Sequence, residues 1–213
     1  MLKSIKSYVR SSFLFDRYGP FRQQIELIQW KLVGKPVPIP HWVKQQAIKQ
    51  YAKQFSLNVL VETGTYLGTM INATKDNFHH IYSIELDHEL YVRAQKRFAR
   101  FPHITLFKGD SSDVLPVILR QISSPALFWL DAHYSGGITA KGTLDTPMIQ
   151  ELSHILEHPV NGHVILIDDA RDFTGQHDYP LLEELDNYVR SHFSDHIVEV
   201  RDDMIRILPK LEQ

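Results

Sequence analysis

The sequence of 213 residues contains no cysteine. This absence excludes a disulfide scaffold, a zinc site with thiolate ligands and a thiol nucleophile. A chain of this length can bury roughly 70% of its unfolded surface, so it needs neither a disulfide nor a structural metal to fold. Hydrophobic residues make up 43% of the sequence, which is too much for a disordered chain. We therefore expect a compact domain with an extension.

Long apolar runs and a strong net charge are also missing. The longest charge-free stretch near the middle, residues 121–130, is too short to cross a membrane. The first residues carry Lys3, Lys6 and Arg10 without an apolar region behind them, so no secretory signal is visible. The formal net charge of −2 does not favour a general nucleic-acid binder. These absences predict a cytoplasmic protein with no transmembrane segment and no nucleic-acid partner.

The near-neutral charge is divided unevenly along the chain. Residues 1–35 carry seven basic and two acidic side chains, a net of +5, and the remainder therefore carries −7. The Pro-rich segment Lys35–Pro40 is a stiff connector that disfavours helix. We predict a basic helical extension with this connector over residues 1–40 and a second domain over residues 41–213.

From residue 42 onward, short apolar segments alternate with stretches of helical periodicity. The predicted strands are Val59–Val61, Ile81–Ile84, Ile104–Phe107, Ala126–Leu130 and Val164–Ile167. The predicted helices are Trp42–Phe55, Leu67–Phe78, Glu89–Phe101, Val114–Ile122, Pro147–Leu156 and Leu181–Phe193. Two further apolar runs, Ile197–Val200 and Met204–Leu208, are close enough to form a hairpin. The pattern predicts an α/β fold with a doubly wound, mostly parallel sheet, a C-terminal antiparallel hairpin and helices on both faces.

Polar or glycine-rich signals follow the first three predicted strands, where such a sheet binds ligands. The first strand runs into Glu62-Thr-Gly-Thr-Tyr-Leu-Gly68, a turn that is either structural or a ligand loop. Glu85 ends the second strand about 20 residues later, where a carboxylate can accept ribose hydroxyls. Asp110 follows the third strand. The alternatives are helix caps, with Asp87 capping one helix and Ser112 or Asp113 the next.

These three strand ends together resemble the class I S-adenosylmethionine (SAM)-dependent methyltransferases, over about Val59 to Leu208. The resemblance implies a Rossmann-like sheet of seven strands and SAM as the cofactor. It places Gly64 and Gly68 beside the methionine, Glu85 beside the ribose and Asp110 beside the adenine. The residues expected to bind SAM are Glu62, Thr63, Gly64, Tyr66, Gly68, Glu85, Asp110, Ser111 and Asp131.

Three aspartates follow the fourth and fifth predicted strands. Asp131 comes after one strand, and Asp168 and Asp169 come after the other. Carboxylates that converge on one crevice repel one another unless a proton or a cation holds them, and Mg²⁺ prefers oxygen ligands. We therefore predict Asp131, Asp168 and Asp169 as ligands of Mg²⁺ or another divalent cation. The alternative is that Asp168 or Asp169 caps a turn.

This arrangement resembles the metal-dependent O-methyltransferases of the catechol and macrocin types. The resemblance implies that the metal acidifies the acceptor hydroxyl and aims it at the sulfonium methyl, with Asp131 and His133 as catalytic residues. His133 would be the general base, although it could instead be a metal ligand or an ordinary loop histidine. The sequence Asp131-Ala-His-Tyr-Ser-Gly-Gly137 is also similar to bacterial methyltransferases associated with surface-glycan biosynthesis.

The hypothesis from sequence is an O-methyltransferase that acts on a sugar or glycoside hydroxyl. Two alternatives stay open: methylation of a phenol or another small metabolite, and a non-catalytic SAM-fold module that binds a partner. A nucleic-acid amino-methyltransferase is disfavoured, because Asp131-Ala-His-Tyr134 lacks the two prolines typical of that class. Related sugar methyltransferases pair through N-terminal helices, which implies a possible homo-oligomer through residues 1–35.

Overall fold

The computed structural model describes residues 24–131, 147–176, 178–193 and 195–210. Its centre is a seven-stranded sheet in the order β3-β2-β1-β4-β5-β7-β6. The strands are β1 Val59–Thr63, β2 His80–Glu85, β3 Ile104–Lys108, β4 Leu127–Leu130, β5 Val164–Ile167, β6 His196–Arg201 and β7 Met204–Pro209. Neighbours pair in parallel from β3 to β5, and β7 pairs antiparallel with both β5 and β6. The predicted doubly wound sheet with its terminal hairpin is confirmed.

Six α-helices connect or flank these strands in the described part of the chain. They are α1 His41–Gln54, α2 Thr69–Thr74, α3 His88–Phe98, α4 Ser111–Leu119, α5 Met148–Leu156 and α6 Leu182–His192. A short 3₁₀ helix, Ala170–Asp172, follows β5. Asp87 accepts hydrogen bonds from the backbone N–H groups of Glu89 and Leu90, so α3 begins where the sequence predicted an Asp cap.

All six helices differ from their predicted boundaries by one or more residues, and helices α4 and α2 differ most at one end or both. Helix α4 begins at Ser111 rather than at Val114, because Asp110 is its N-cap and accepts the N–H of Ser112. Helix α2 ends at Thr74, four residues before the predicted end, and Asn77 closes a turn by donating its N–H to the carbonyl of Thr74.

The largest apolar core lies on one face of the sheet, between the strands and helices α4, α5 and α6. Alternate strand residues point into it because side chains of a strand alternate between faces. The strand residues in this core include Val61, Ile84, Phe128, Leu130, Ile165, Ile167, Ile205 and Ile207. Helix α1 lies on the other face, where the ring of Tyr51 contacts the guanidinium of Arg206. The short strands are nearly all apolar because both faces are covered.

The chain divides into two compact units, residues 1–46 and 47–213. In the described part of the first unit, residues 24–32 are helical. The indole N–H of Trp30 donates to the carbonyl of Pro36 at 2.7 Å, which ties this helix to the Pro-rich connector. No helix among the described residues is long and apolar enough to cross a bilayer.

Candidate functional site

The carboxyl ends of the parallel strands bring together most of the polar residues that the sequence singled out. Thr63, Leu130 and Ile167 are register partners across β1, β4 and β5. The residues that follow these strands therefore share one edge of the sheet, the edge where open α/β sheets bind ligands. The N–H of Asp131 donates to the Thr63 hydroxyl at 3.3 Å, and the N–H of Asp168 donates to the Leu130 carbonyl at 3.0 Å.

A tight turn leads from β1 into α2 and depends on glycine. Gly64, Tyr66 and Gly68 all have positive φ angles, of 83°, 48° and 66°. A Cβ at Gly68 would lie 2.6 Å from Cε2 of Phe98, so only glycine lets the turn approach α3 this closely. The backbone N–H groups of Gly64 and Thr65 donate to the carbonyl of Ile84, which anchors the turn on β2.

Glu85 connects this turn to the end of β2. Its Oε2 accepts the N–H of Tyr66 at 2.7 Å, and its Oε1 accepts the N–H of Asp87 at 2.8 Å. Burial raises the pKa of the Glu85 carboxyl, although the two backbone hydrogen bonds oppose that shift. Each carboxylate oxygen has a second lone pair, so both can still accept a ligand hydroxyl.

Asp110 occupies the corresponding place after β3. Its Oδ1 accepts the N–H of Ser112 at 3.0 Å and the Ser112 hydroxyl at 2.7 Å. The alternative from sequence, that Ser112 or Asp113 caps this helix, was wrong, because the observed N-cap is Asp110. Asp110 caps the helix with one oxygen and keeps acceptor capacity on its carboxyl for a ligand.

Glu62 lies inside the protein rather than on an open surface, with 2% of its area exposed. The Ser83 hydroxyl donates to its Oε2 at 2.6 Å, and the Thr65 hydroxyl lies 2.6 Å from that of Ser83. Burial, helped by the nearby carboxylates of Asp131 and Glu85, raises the pKa of Glu62 to about 8, although the hydrogen bond from Ser83 opposes the shift. The free protein therefore holds Glu62 largely as the neutral acid at pH 7.

The structure adds Glu151, a carboxyl that the sequence analysis missed. It lies on α5, is 1% exposed, and the hydroxyls of Thr63 and Ser111 lie against it. Burial raises its pKa to about 7, and Asp110 and Asp131 act in the same direction. The sequence does contain a signal for this burial, because Glu151 is an acidic residue on the apolar face of α5, between Met148 and Leu152.

The predicted metal set does not form in the described part of the chain. No group of three or more His, Asp or Glu residues there is close enough to hold a metal ion. Asp169 has a left-handed backbone, with φ of 53°, and its Oδ1 lies 2.8 Å from Nη1 of Arg171. Arg171 also pairs with Asp203, and the Oδ1 of Asp168 accepts the N–H of Asp169. The guanidinium of Arg171 therefore supplies positive charge beside Asp169, and the described residues do not support the predicted metal site.

The predicted general base, His133, lies outside the described residues. The edge of the sheet thus carries Glu62, Glu85, Asp110, Asp131 and Glu151. The carboxyls of Glu85, Asp110 and Asp131 at this edge favour a ligand that is cationic or rich in hydroxyl and amino donors.

Comparison with known proteins places this architecture among methyltransferase structures. The O-methyltransferase TomG of Streptomyces achromogenes, which is involved in tomaymycin synthesis and was solved with SAM, superimposes with a TM-score of 0.56 and 14% identity. The match covers 98% of this chain and 96% of that one. An O-methyltransferase from Bacillus cereus in complex with SAH (S-adenosylhomocysteine) superimposes with a TM-score of 0.56 and 12% identity. That match covers 96% of this chain and 97% of the other.

A third structure, a putative rRNA methylase from Clostridium thermocellum, gives a TM-score of 0.55 and 15% identity over 76% of this chain and 94% of that one. No family model and no curated protein sequence matches the chain. At these identities the likeness concerns the fold. The chain has the Rossmann-like fold of these methyltransferases, as the sequence predicted.

Proposed function

We propose that this protein is a SAM-dependent O-methyltransferase that acts on a hydroxyl group of a small molecule. The observation that carries the proposal is the set of polar groups at three successive strand ends. The turn at Gly64 to Gly68, Glu85 and Asp110 lie in the order in which the class I enzymes hold methionine, ribose and adenine. The likeness to O-methyltransferase structures over nearly the whole chain supports the same proposal.

The contacts in the free protein are consistent with this cofactor. Glu85 is fixed by two backbone N–H groups, so its orientation is set before a ribose arrives. The glycine turn keeps Cβ atoms away from the place where backbone would approach the methionine. Asp110 is held by Ser112 and presents its carboxyl beside the start of α4, where an adenine amino group would donate.

In the proposed reaction the acceptor oxygen attacks the methyl carbon of SAM in line with the C–S bond. The new C–O bond forms as the C–S bond breaks, and the electron pair of that bond stays on sulfur to give SAH. The proton of the hydroxyl passes to a base, for which His133 stays the residue predicted from sequence. A sugar or glycoside hydroxyl is the proposed acceptor, because of the resemblance of the segment from Asp131 to Gly137.

A metal ion is not a step of this proposal. Mg²⁺ was predicted from Asp131, Asp168 and Asp169, but Arg171 already neutralises Asp169 and also pairs with Asp203. These donors do not fit a metal ion as they lie, so the proposed reaction uses only the chain's own residues.

The proposal is tested by titrating SAM and, separately, SAH into the purified full chain in a calorimeter. We expect saturable binding of both ligands with one site per chain. The absence of any binding at millimolar ligand would end the proposal. Release of SAH with panels of glycosides and of phenols then separates the sugar acceptor from the phenolic one, and binding without turnover on any hydroxyl would favour the non-catalytic module.

A further inference from the structure

Glu151 is linked by hydrogen bonds to residues at or just after the ends of three strands. Its carboxyl lies against the hydroxyl of Thr63, the last residue of β1, and that of Ser111, the first residue of α4. Thr63 in turn accepts the N–H of Asp131 after β4. A side chain on α5 is thereby linked to the turn predicted to hold the methionine and to the helix start predicted to hold the adenine.

One oxygen of this carboxyl has no partner. Oε1 of Glu151 is fully enclosed and accepts no hydrogen bond from any described residue. Buried carboxyl oxygens are nearly always satisfied, because an unmade hydrogen bond costs the desolvation of the group. Because this carboxyl also has no ion pair with a described residue, its negative charge, when ionised, is left without a counter-charge beside the edge that is proposed to bind the ligand.

The charged groups that act on Glu151 are both negative. Asp110 faces it from the start of α4 and Asp131 from the end of β4. Like charges repel one another, and a cation near these three carboxyls relieves that repulsion. The group of carboxyls therefore favours a ligand with positive charge.

We propose that Glu151 is a specificity-determining residue that makes the site prefer cationic SAM to its neutral-sulfur product SAH. This inference rests on the proposed function, because it assumes that both ligands enter this site. SAM and SAH share the same ammonium, carboxylate, ribose and adenine, and they differ in the sulfonium methyl group and its positive charge. Attraction to the ammonium therefore cancels when the two affinities are compared, and the difference reports on the sulfonium.

The size of the expected effect follows from Coulomb's law. A carboxylate roughly 10 Å from a cation, at an effective dielectric constant of about 20, favours that cation by roughly tenfold. Such a preference would help SAH to leave after each turnover, because the site loses its attraction for the ligand when the sulfonium charge disappears.

The test is Glu151→Gln, which keeps the shape of the side chain and removes its charge. Dissociation constants for SAM and SAH are measured by calorimetry at pH 8.5, where the wild-type carboxyl is ionised. We expect the variant to bind SAM roughly tenfold more weakly and SAH within about twofold of wild type. The matched control is Glu157→Gln, which removes an exposed carboxylate at the end of the same helix and is expected to change neither constant.

A purely structural role of Glu151 predicts a different result. Parallel weakening of both ligands, or no change in either, would overturn the inference while leaving the proposed function intact. If wild-type protein binds neither ligand, the proposed function itself fails. Ser111→Ala provides a second measurement should Glu151→Gln not fold, because it removes a hydroxyl that favours the charged form of Glu151. At pH 7 we expect it to reduce the preference for SAM, and an unchanged preference would contradict the inference.

Discussion

At the scale of single residues, burial decides which polar side chains carry charge. Desolvation raises the pKa of Glu62 to about 8 and that of Glu151 to about 7. His163 shows the opposite sign, because burial lowers its pKa to about 4. Its Nδ1 accepts the N–H of Ala126 at 3.1 Å, so the neutral ring is a structural element of the β5 edge. The charge of these side chains at pH 7 therefore depends on their burial as well as on their residue type.

Glu62 gives a prediction about stability against pH. The folded state holds the proton of Glu62 more tightly than the unfolded state, so stability falls as pH rises from about 4.5 to about 8. Glu62→Gln cannot ionise and escapes that loss. We expect the variant to match wild type at pH 5 and to be more stable by roughly 3 kcal/mol at pH 8.5, as measured by urea unfolding.

The stability difference between Glu62→Gln and wild type reports on Glu62 alone for two reasons. The contribution of His163 is the same in both proteins and cancels in their difference. Glu183→Gln, on the exposed first turn of α6, serves as the control and is expected to leave the stability difference flat across the same pH range. A Glu62→Gln effect equal at both pH values would show that Glu62 is charged in the folded protein throughout.

At the scale of secondary-structure elements, the β1–α2 turn is fixed by a close approach between two helices. Gly68 is the N-cap of α2, and its Cα lies so near the Phe98 ring of α3 that no side chain fits. The close contact is with α3, which begins after the Asp87 cap and follows Glu85, the carboxyl that we propose binds ribose.

Gly68→Ala is expected to destabilise the protein by about 2–4 kcal/mol, from a strained φ angle and a displaced Phe98 ring. The same change should weaken SAM binding at least tenfold, because the turn and α3 move apart. Gly162→Ala is the matched control. Gly162 also has a positive φ, of 82°, but a Cβ there would lie at an ordinary contact distance, 3.6 Å, from Cγ of Pro125.

Only the strain of the φ angle acts at Gly162, for a loss of about 1–2 kcal/mol, and SAM affinity should be retained. Chemical denaturation and calorimetry measure the two effects. Equal losses in both variants would refute the role given to the Phe98 contact.

At the scale of the whole molecule, residues far apart in sequence close the end of the sheet. The backbone N–H of Arg171 donates to Oδ1 of Asp203, and its guanidinium pairs with both Asp203 and Asp169. Asp202 and Asp203 both have positive φ angles, as a tight turn between β6 and β7 requires. Arg171 thus fixes the hairpin against the end of β5 and supplies the positive charge at this corner.

The pairing of Arg171 with Asp169 and the proposed SAM site give a prediction about how the melting temperature responds to Mg²⁺ and to SAM. A ligand that binds only the folded state raises the melting temperature according to its affinity and concentration. For protein dialysed against EDTA, we expect 1 mM SAM to raise the melting temperature by several degrees and 5 mM Mg²⁺ to leave it unchanged within about one degree. A rise with Mg²⁺ that disappears on adding EDTA would restore the metal site predicted from Asp131, Asp168 and Asp169.

The sequence by itself determined the alternation of strands and helices, the antiparallel hairpin and the strand ends at which polar residues meet. These features follow from local periodicity, from proline and glycine, and from the rule that parallel strands end at one edge. Asp87 as a cap and Glu85 at the end of β2 needed no tertiary information.

Only the tertiary structure decided which of those polar groups face one another. Glu151 comes from the inner face of a helix, and its partners Thr63 and Ser111 are 88 and 40 residues away in sequence, so no local pattern could bring them together. Asp169 was predicted to bind a metal ion, whereas in the structure its carboxylate pairs with the guanidinium of Arg171. Charge and pairing depend on burial and distance, and these exist only once the sheet has assembled.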